Sequence, residues 1–202
     1  VMVVFHGANY LALRTEGALQ ARSTRVARIA GILTAVLFAA GGAWACLGID
    51  GYVAVAGLDP AGPANPLAKT VELRAGAWLA NYDALPILWA LPALGVVASL
   101  AGAAAAGSRR GWTAILLSSA AILSIVLTPL VSMFPFVMPS STMLNAGLTV
   151  WDCTSSQLTL EIMFFVTLVF LPIVLAYTTW AYRVMSGKLN AEYIAKHSHH
   201  LY

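Results

Sequence analysis

Long apolar runs separated by short charged clusters organise this chain. Ile29–Ile49, Ala84–Ser108, Gly111–Trp151 and Ile162–Tyr182 carry no Asp, Glu, Lys or Arg, and each is at least 21 residues long. About 20 apolar residues, each rising about 1.5 Å, cross the hydrocarbon core of a bilayer. A water-soluble globule cannot hold such runs and still keep a charged surface. The pattern predicts complete membrane spans over Val26–Gly48, Leu85–Ala106, Trp112–Phe134 and Glu161–Tyr182. Gly111–Trp151 is too long for one span and too short for two with a loop. Pro129, Pro135 and Pro139 resolve it, because proline removes a backbone donor and ends or kinks a helix. The span is expected to stop near Pro135, leaving Phe136–Gln157 outside and partly in the interface.

The uncharged run Val1–Leu13 is too short to span, and it lacks the charged start and small-residue cleavage site of a signal peptide. It reads as the cytoplasmic end of a helix, a partial span over about residues 1–20 that begins in a longer protein. The predicted fold is therefore all-α: a polytopic transmembrane helical bundle with four complete spans plus the end of a preceding one. Residues 1–202 are expected to form a single domain, the C-terminal half of a longer subunit. Ala39–Ala45 and Ala101–Gly107 are almost entirely Ala and Gly, which permits the close approach by which membrane helices associate. Trp89, Trp112, Trp151 and Tyr182 fall near the predicted boundaries, as interfacial anchors do.

The charges set the orientation. Of the 11 Lys and Arg, nine lie in three clusters: Arg14–Arg28, Arg109–Arg110, and the tail with Arg183, Lys188 and Lys196. The carboxylates Asp50, Asp59, Glu72, Asp83, Asp152 and Glu161 fall in the two clusters between them, with only Lys69 and Arg74 for company. Cationic and anionic clusters alternate, as successive crossings produce under the positive-inside rule. The C-terminus is thus predicted to be cytoplasmic. The net charge of +3 follows from topology and implies no nucleic-acid partner.

Candidate chemistry is sparse. Ionisable residues inside a membrane are costly and so are functional suspects, yet the complete spans hold no Lys, Arg or His away from their ends. No HExxH, CxxC or phosphate-binding glycine loop occurs. No catalytic residue and no metal ligand can be named. His6 falls within the cytoplasmic half of the membrane, where it is either a proton or quinone-site residue or, more ordinarily, a histidine bonded to a neighbouring helix. Asp50, Asp83, Asp152 and Glu161 sit at the outer boundary, where a structural role is the commoner one. His197, His199 and His200 belong to a solvated tail. Cys46 and Cys153 both fall near the outer face, where a disulfide is conceivable and apolar filling is the commoner role. Met133, Met138, Met143 and Met163 read as packing. Two rival readings remain at this point: half of a transporter or channel, or a structural subunit of another membrane complex.

Several blocks resemble subunit II of the cytochrome bd quinol oxidases. They are FHGANYLALRTEG at Phe5–Gly17, GIDGY at Gly48–Tyr52, GAWL at Gly76–Leu79 and PILWALPALGVV at Pro86–Val97. MFPFVMPSSTMLNAGLTVWDCTSSQLTL at Met133–Leu160, LPIVLAYTTW at Leu171–Trp180 and the ending His200-Leu201-Tyr202 complete the set. The resemblance implies a terminal oxidase of the bacterial cytoplasmic (inner) membrane that oxidises quinol, reduces O2 to water and builds proton motive force. It implies haem b and haem d held by a partner, subunit I, with none ligated by this chain. A quinone held between apolar helices as a structural lipid, contact with membrane lipid and a small accessory subunit are further expectations; Trp89 or Trp180 either stacks on the quinone ring or, more ordinarily, is a simple anchor. The family's proton-route positions lie in the half not represented here, and none transfers to this chain. His6, Asp50, Trp151 and Asp152 remain as structural or partner-supporting residues.

Overall fold

The computed structural model describes residues 1–59, 62, 65–108 and 111–184. Arg109, Arg110, Lys188, Glu192, Lys196, His197, His199, His200 and the position of the C-terminus lie outside the described residues. Helices dominate: α1 (Met2–Arg14), α2 (Gly17–Gly48), α3 (Ala80–Ala84), α4 (Ala90–Ala105), α5 (Gly111–Met133) and α6 (Gln157–Val184). Four helical stretches are long and apolar enough to cross a membrane: Gly17–Gly48, Pro86–Ala105, Gly111–Met133 and Gln157–Val184. The chain is a multi-pass membrane protein. α2 begins at Gly17 rather than Val26, because Arg22, Arg25 and Arg28 lie on a helix that continues past the apolar run.

α1 and α2 are joined by a tight turn. Gly17 takes a φ of 65° there, a backbone angle that only glycine adopts freely. The last carbonyls of α1 run short of helical donors; the Thr15 amide serves Leu11 at 3.0 Å, and local side chains add to it. Thr15 Oγ1 donates to the Leu11 carbonyl at 2.7 Å, and Gln20 Nε2 donates to Ala12 at 3.2 Å. The guanidinium of Arg28 donates to the Ala106 carbonyl at the end of α4, at 3.3 Å, placing a cation at the negative end of that helix dipole.

α1, α2, α4 and α5 pack in a ring, α1 on α2, α2 on α4, α4 on α5 and α5 on α1. Phe5 of α1 is wholly buried where the four meet, in a cluster with Ala30, Ala98, Ala103 and Ala121. Two glycines complete its slot. A Cβ at Gly31 would lie 2.8 Å from the Phe5 ring and 2.8 Å from Ala103 Cβ, and one at Gly102 would lie 2.8 Å from Phe5 Cζ. The aromatic ring fits because its neighbours are Gly and Ala. α6 stands outside this ring and buries none of its residues.

Two antiparallel strand pairs at the carboxylate-rich end add to the expected all-α bundle. β1 (Gly51–Ala56) pairs with β2 (Thr70–Arg74), and β3 (Phe136–Met138) pairs with β4 (Leu148–Thr149). The turn-rich loop after α2 is thus a hairpin, and the segment after Pro135 folds back on itself. A bulge interrupts the first pair between Ala54 and Ala56. Just beyond it, Gly57 has a φ of 76°, and a Cβ there would strike the Ala68 carbonyl. Both cysteines are free, so Cys46 and Cys153 form no disulfide here.

The Phe5 slot makes a stability prediction. Phe5→Ala removes the ring from a site that small residues cannot refill, at a cost of about 3 kcal/mol. Gly102→Val forces the same ring out from the opposite side. Both should lower the midpoint of thermal unfolding of the assembled, detergent-solubilised protein. A wild-type midpoint in both variants would show that the four helices do not meet on this ring.

Candidate functional site

The carboxylate-rich end forms a folded cap over the bundle, and one ion pair ties it together. Lys69 Nζ lies 2.7 Å from Asp152 Oδ2, with side chains only 1% and 8% exposed. The two residues come from different loops, Lys69 from the first hairpin and Asp152 from just beyond β4. Asp152 Oδ2 also accepts from the Thr149 amide at 3.0 Å and from Thr149 Oγ1 at 2.6 Å. Lys69 Nζ donates to the Pro66 carbonyl at 2.6 Å. A buried pair holds only when such extra hydrogen bonds replace the lost water. Burial alone pushes the Asp152 carboxyl up. The hydrogen bonds from Lys69 and Thr149, together with the Lys69 charge, outweigh that and hold it below its usual range.

Further contacts join the same loops. The Val71 amide donates to Asn145 Oδ1 at 2.8 Å, and the Tyr52 ring packs at 6.0 Å from Phe136 and 5.8 Å from Trp78. Trp78 Nε1 donates to the Ile49 carbonyl at 3.1 Å, fixing the exit of α2. Pro135 has no N–H to serve the Val131 carbonyl one turn back. Asn81 Nδ2, on α3, donates to the Val131 carbonyl at 2.8 Å and to the Phe134 carbonyl at 2.7 Å. Tyr82 OH donates to Thr128 at 2.8 Å. The first loop thereby finishes the end of α5.

Beneath the cap, α2, α4 and α5 enclose an apolar cleft of about 290 Å³. Phe38, Gly42 and Cys46 form one wall, Trp89 and Val96 another, and Thr128 and Ser132 supply hydroxyls. Trp89 lies 5.2 Å from the Tyr82 ring, which also lines the cleft. Trp180 lies on α6 against Tyr177, at 6.0 Å.

The four residues singled out in the sequence separate into two places. Trp151 and Asp152 belong to the cap, where Trp151 packs at 5.9 Å from Phe134. Asp50 stands exposed next to β1, with no hydrogen bond or ion pair among the described residues. His6 lies at the other end of the bundle, with Nδ1 2.8 Å from Ser118 Oγ on α5. Ser118 Oγ also lies 2.9 Å from the Ile115 carbonyl within its own helix. Lys69, Asn81, Asn145 and Thr149 were not singled out. Lys69 had a signal, as one of only two cations among the outer carboxylates.

Among the described residues, no group of three or more His, Cys, Asp or Glu could hold a metal ion.

The ion pair predicts a double-mutant pattern. Lys69→Met or Asp152→Asn alone should cost about 3 kcal/mol, because each strands a buried polar partner. Lys69→Met combined with Asp152→Asn should cost less than the sum of the two single losses, whereas additive losses would show that the two do not act as a pair. Acid provides an independent check. A depressed carboxyl contributes stability above the ordinary carboxylate pKa of about 4. That contribution is lost as pH falls through the lower folded value. Cap stability, read by protease resistance of the two loops, should hold from neutral pH to about 5 and fall only below about 4. In Lys69→Met the fall should begin at higher pH.

Comparison with known proteins covers almost the whole chain. The family model described as cytochrome bd terminal oxidase subunit II matches residues 1–185. The chain is 48% identical over 201 residues to cytochrome bd-I ubiquinol oxidase subunit 2 of Escherichia coli strain K12, covering 100% of this chain and 53% of that protein. A probable cytochrome oxidase subunit 2 of Haemophilus influenzae is 43% identical over the same length, with the same shares. The chain thus spans about half the length of the curated relatives it matches. From the match along residues 1–185, this chain belongs to the cytochrome bd terminal oxidase subunit II family.

Proposed function

We propose that this chain is the C-terminal half of the non-haem-ligating subunit of a quinol:dioxygen oxidoreductase in the respiratory chain of a bacterial inner membrane. Its partner is subunit I, which holds haem b and haem d, oxidises quinol and reduces O2 to water. The 48% identity to a ubiquinol oxidase subunit across the full chain is the observation that carries this reading. The sparse set of ligand residues agrees with a chain whose partner holds the cofactors.

The chain's own contribution is mechanical. Its four-helix ring presents a rigid apolar wall, and its cap closes the outer helix ends against water. Excluding water from a partner's redox site confines protons and reactive oxygen species to defined routes. Trp151 and Asp152, fixed through Phe134 and Lys69, support that partner from the outer side. The apolar cleft beside Trp89 takes a quinone as a structural lipid. Its size is near the lower end of the ~300–1,000 Å³ typical of small-molecule pockets.

A reduced-minus-oxidised absorption spectrum of the complex purified through the full-length subunit tests the assignment. A red haem d band beside b-type bands is expected; colourless material with an intact partner would overturn it in favour of a transporter or other structural subunit. Trp151→Ala and Asp152→Asn should each lower haem d per complex without preventing membrane insertion. Full haem content in both would remove the supporting role of the cap.

A further inference from the structure

At the arginine-bearing end of the bundle, α1, α5 and α6 border a cleft of about 550 Å³. Two guanidiniums line it, Arg14 from the last turn of α1 and Arg183 from the last turn of α6, and among the described residues no carboxylate does. Arg14 is steadied over the Tyr10 ring at 5.5 Å. Thr178 and Thr179 add hydroxyls from α6, and Trp112 and Tyr182 complete an aromatic rim. Such rings settle at the headgroup level of a bilayer. Deeper in, the character changes. α6 buries none of its residues, and Phe164, Phe165, Leu168 and Leu171 are all more than half exposed. The gap between α6 and the ring of four helices is therefore bordered by hydrocarbon below and by cations and hydroxyls above.

We propose that this cleft binds an anionic phospholipid. Its phosphate lies between Arg14 and Arg183, and its acyl chains run along α6 towards the membrane centre. Charge complementarity selects the head. Guanidinium forks match phosphate oxygens in geometry as well as in sign, and basic pockets between membrane helices take such headgroups. The apolar face of α6 selects the tails, since water cannot fill that gap and a free anion would leave it empty. The lipid would tether α6, which shares little surface with the other helices, to α1 and α5. The proposal rests only on the membrane-spanning character of the chain, so it stands or falls separately from the oxidase reading.

The test uses the full-length subunit in its assembled complex, in nanodiscs of phosphatidylglycerol or of phosphatidylcholine. Native mass spectrometry should find a phosphatidylglycerol retained through delipidation, with phosphatidylcholine retained weakly. Arg14→Gln and Arg183→Gln should each weaken that retention about fivefold. Equal retention of the two lipids, or no effect of either substitution, would overturn the proposal. A cross-link on the otherwise unaltered complex provides a second reading that does not depend on those variants folding. With Ile115 replaced by a photoreactive phenylalanine derivative, phosphatidylglycerol adducts should exceed phosphatidylcholine adducts several-fold. Adducts to protein would assign the cleft to a subunit interface and overturn it. Inorganic phosphate should not displace the lipid. Displacement would assign the cleft to a free anion and overturn it as well.

Discussion

In a bilayer, an apolar helix face gains little by exchanging lipid for another helix, because both are equally apolar. Association then depends on how closely the surfaces fit. The ring of α1, α2, α4 and α5 meets that condition with one large residue among small ones. Phe5 fills the space left by Gly31 and Gly102, and Ala30, Ala98, Ala103 and Ala121 bring the backbones close around it. Dispersion over so many short contacts is individually slight and collectively large. The cap and the cleft beneath it depend on helix ends that this fit holds in register.

The cap answers a second requirement. Every backbone carbonyl near the hydrocarbon must find a donor, and Pro135 leaves one unserved at the end of α5. Asn81 fills that vacancy from another loop, and Tyr82 bonds one turn further back. Helix α3 is therefore part of the end of α5 rather than a turn beside it. The Lys69–Asp152 pair then fastens the second loop to the first. Polar bonds bear the load at the wet end of the bundle, where water would otherwise compete for each of them.

The spans were legible because charge is so costly in lipid that its absence marks them. Their ends were less so. α2 runs back to Gly17 because a helix bearing Arg22, Arg25 and Arg28 has no reason to stop where hydrocarbon does. The strand pairs left a faint trace, in the β-branched and aromatic residues Tyr52, Val53, Val55, Thr70 and Val71 on either side of a turn-rich stretch. Isolated two-stranded pairs are marginal in water, and contacts such as Asn145 with Val71 are made between distant parts of the chain. Spacing along a sequence does not reveal such contacts. Asp152 stood out as a carboxylate at a boundary, but its partner did not, because a lone outer lysine is usually solvated. His6 was visible as an isolated titratable residue; Ser118 opposite it looked like any small helix residue.

The Lys69–Asp152 pair also bears on how the chain enters the membrane. The two residues lie on opposite sides of the α4–α5 hairpin in sequence, so they can meet only after that hairpin has crossed the membrane and returned. Until then each is a hydrated charge on a mobile loop, with nothing drawing it into an apolar setting. A chain threaded with one crossing missing would place them on opposite faces of the bilayer, leaving neither able to desolvate. The pair can therefore close only in a molecule with both crossings in place.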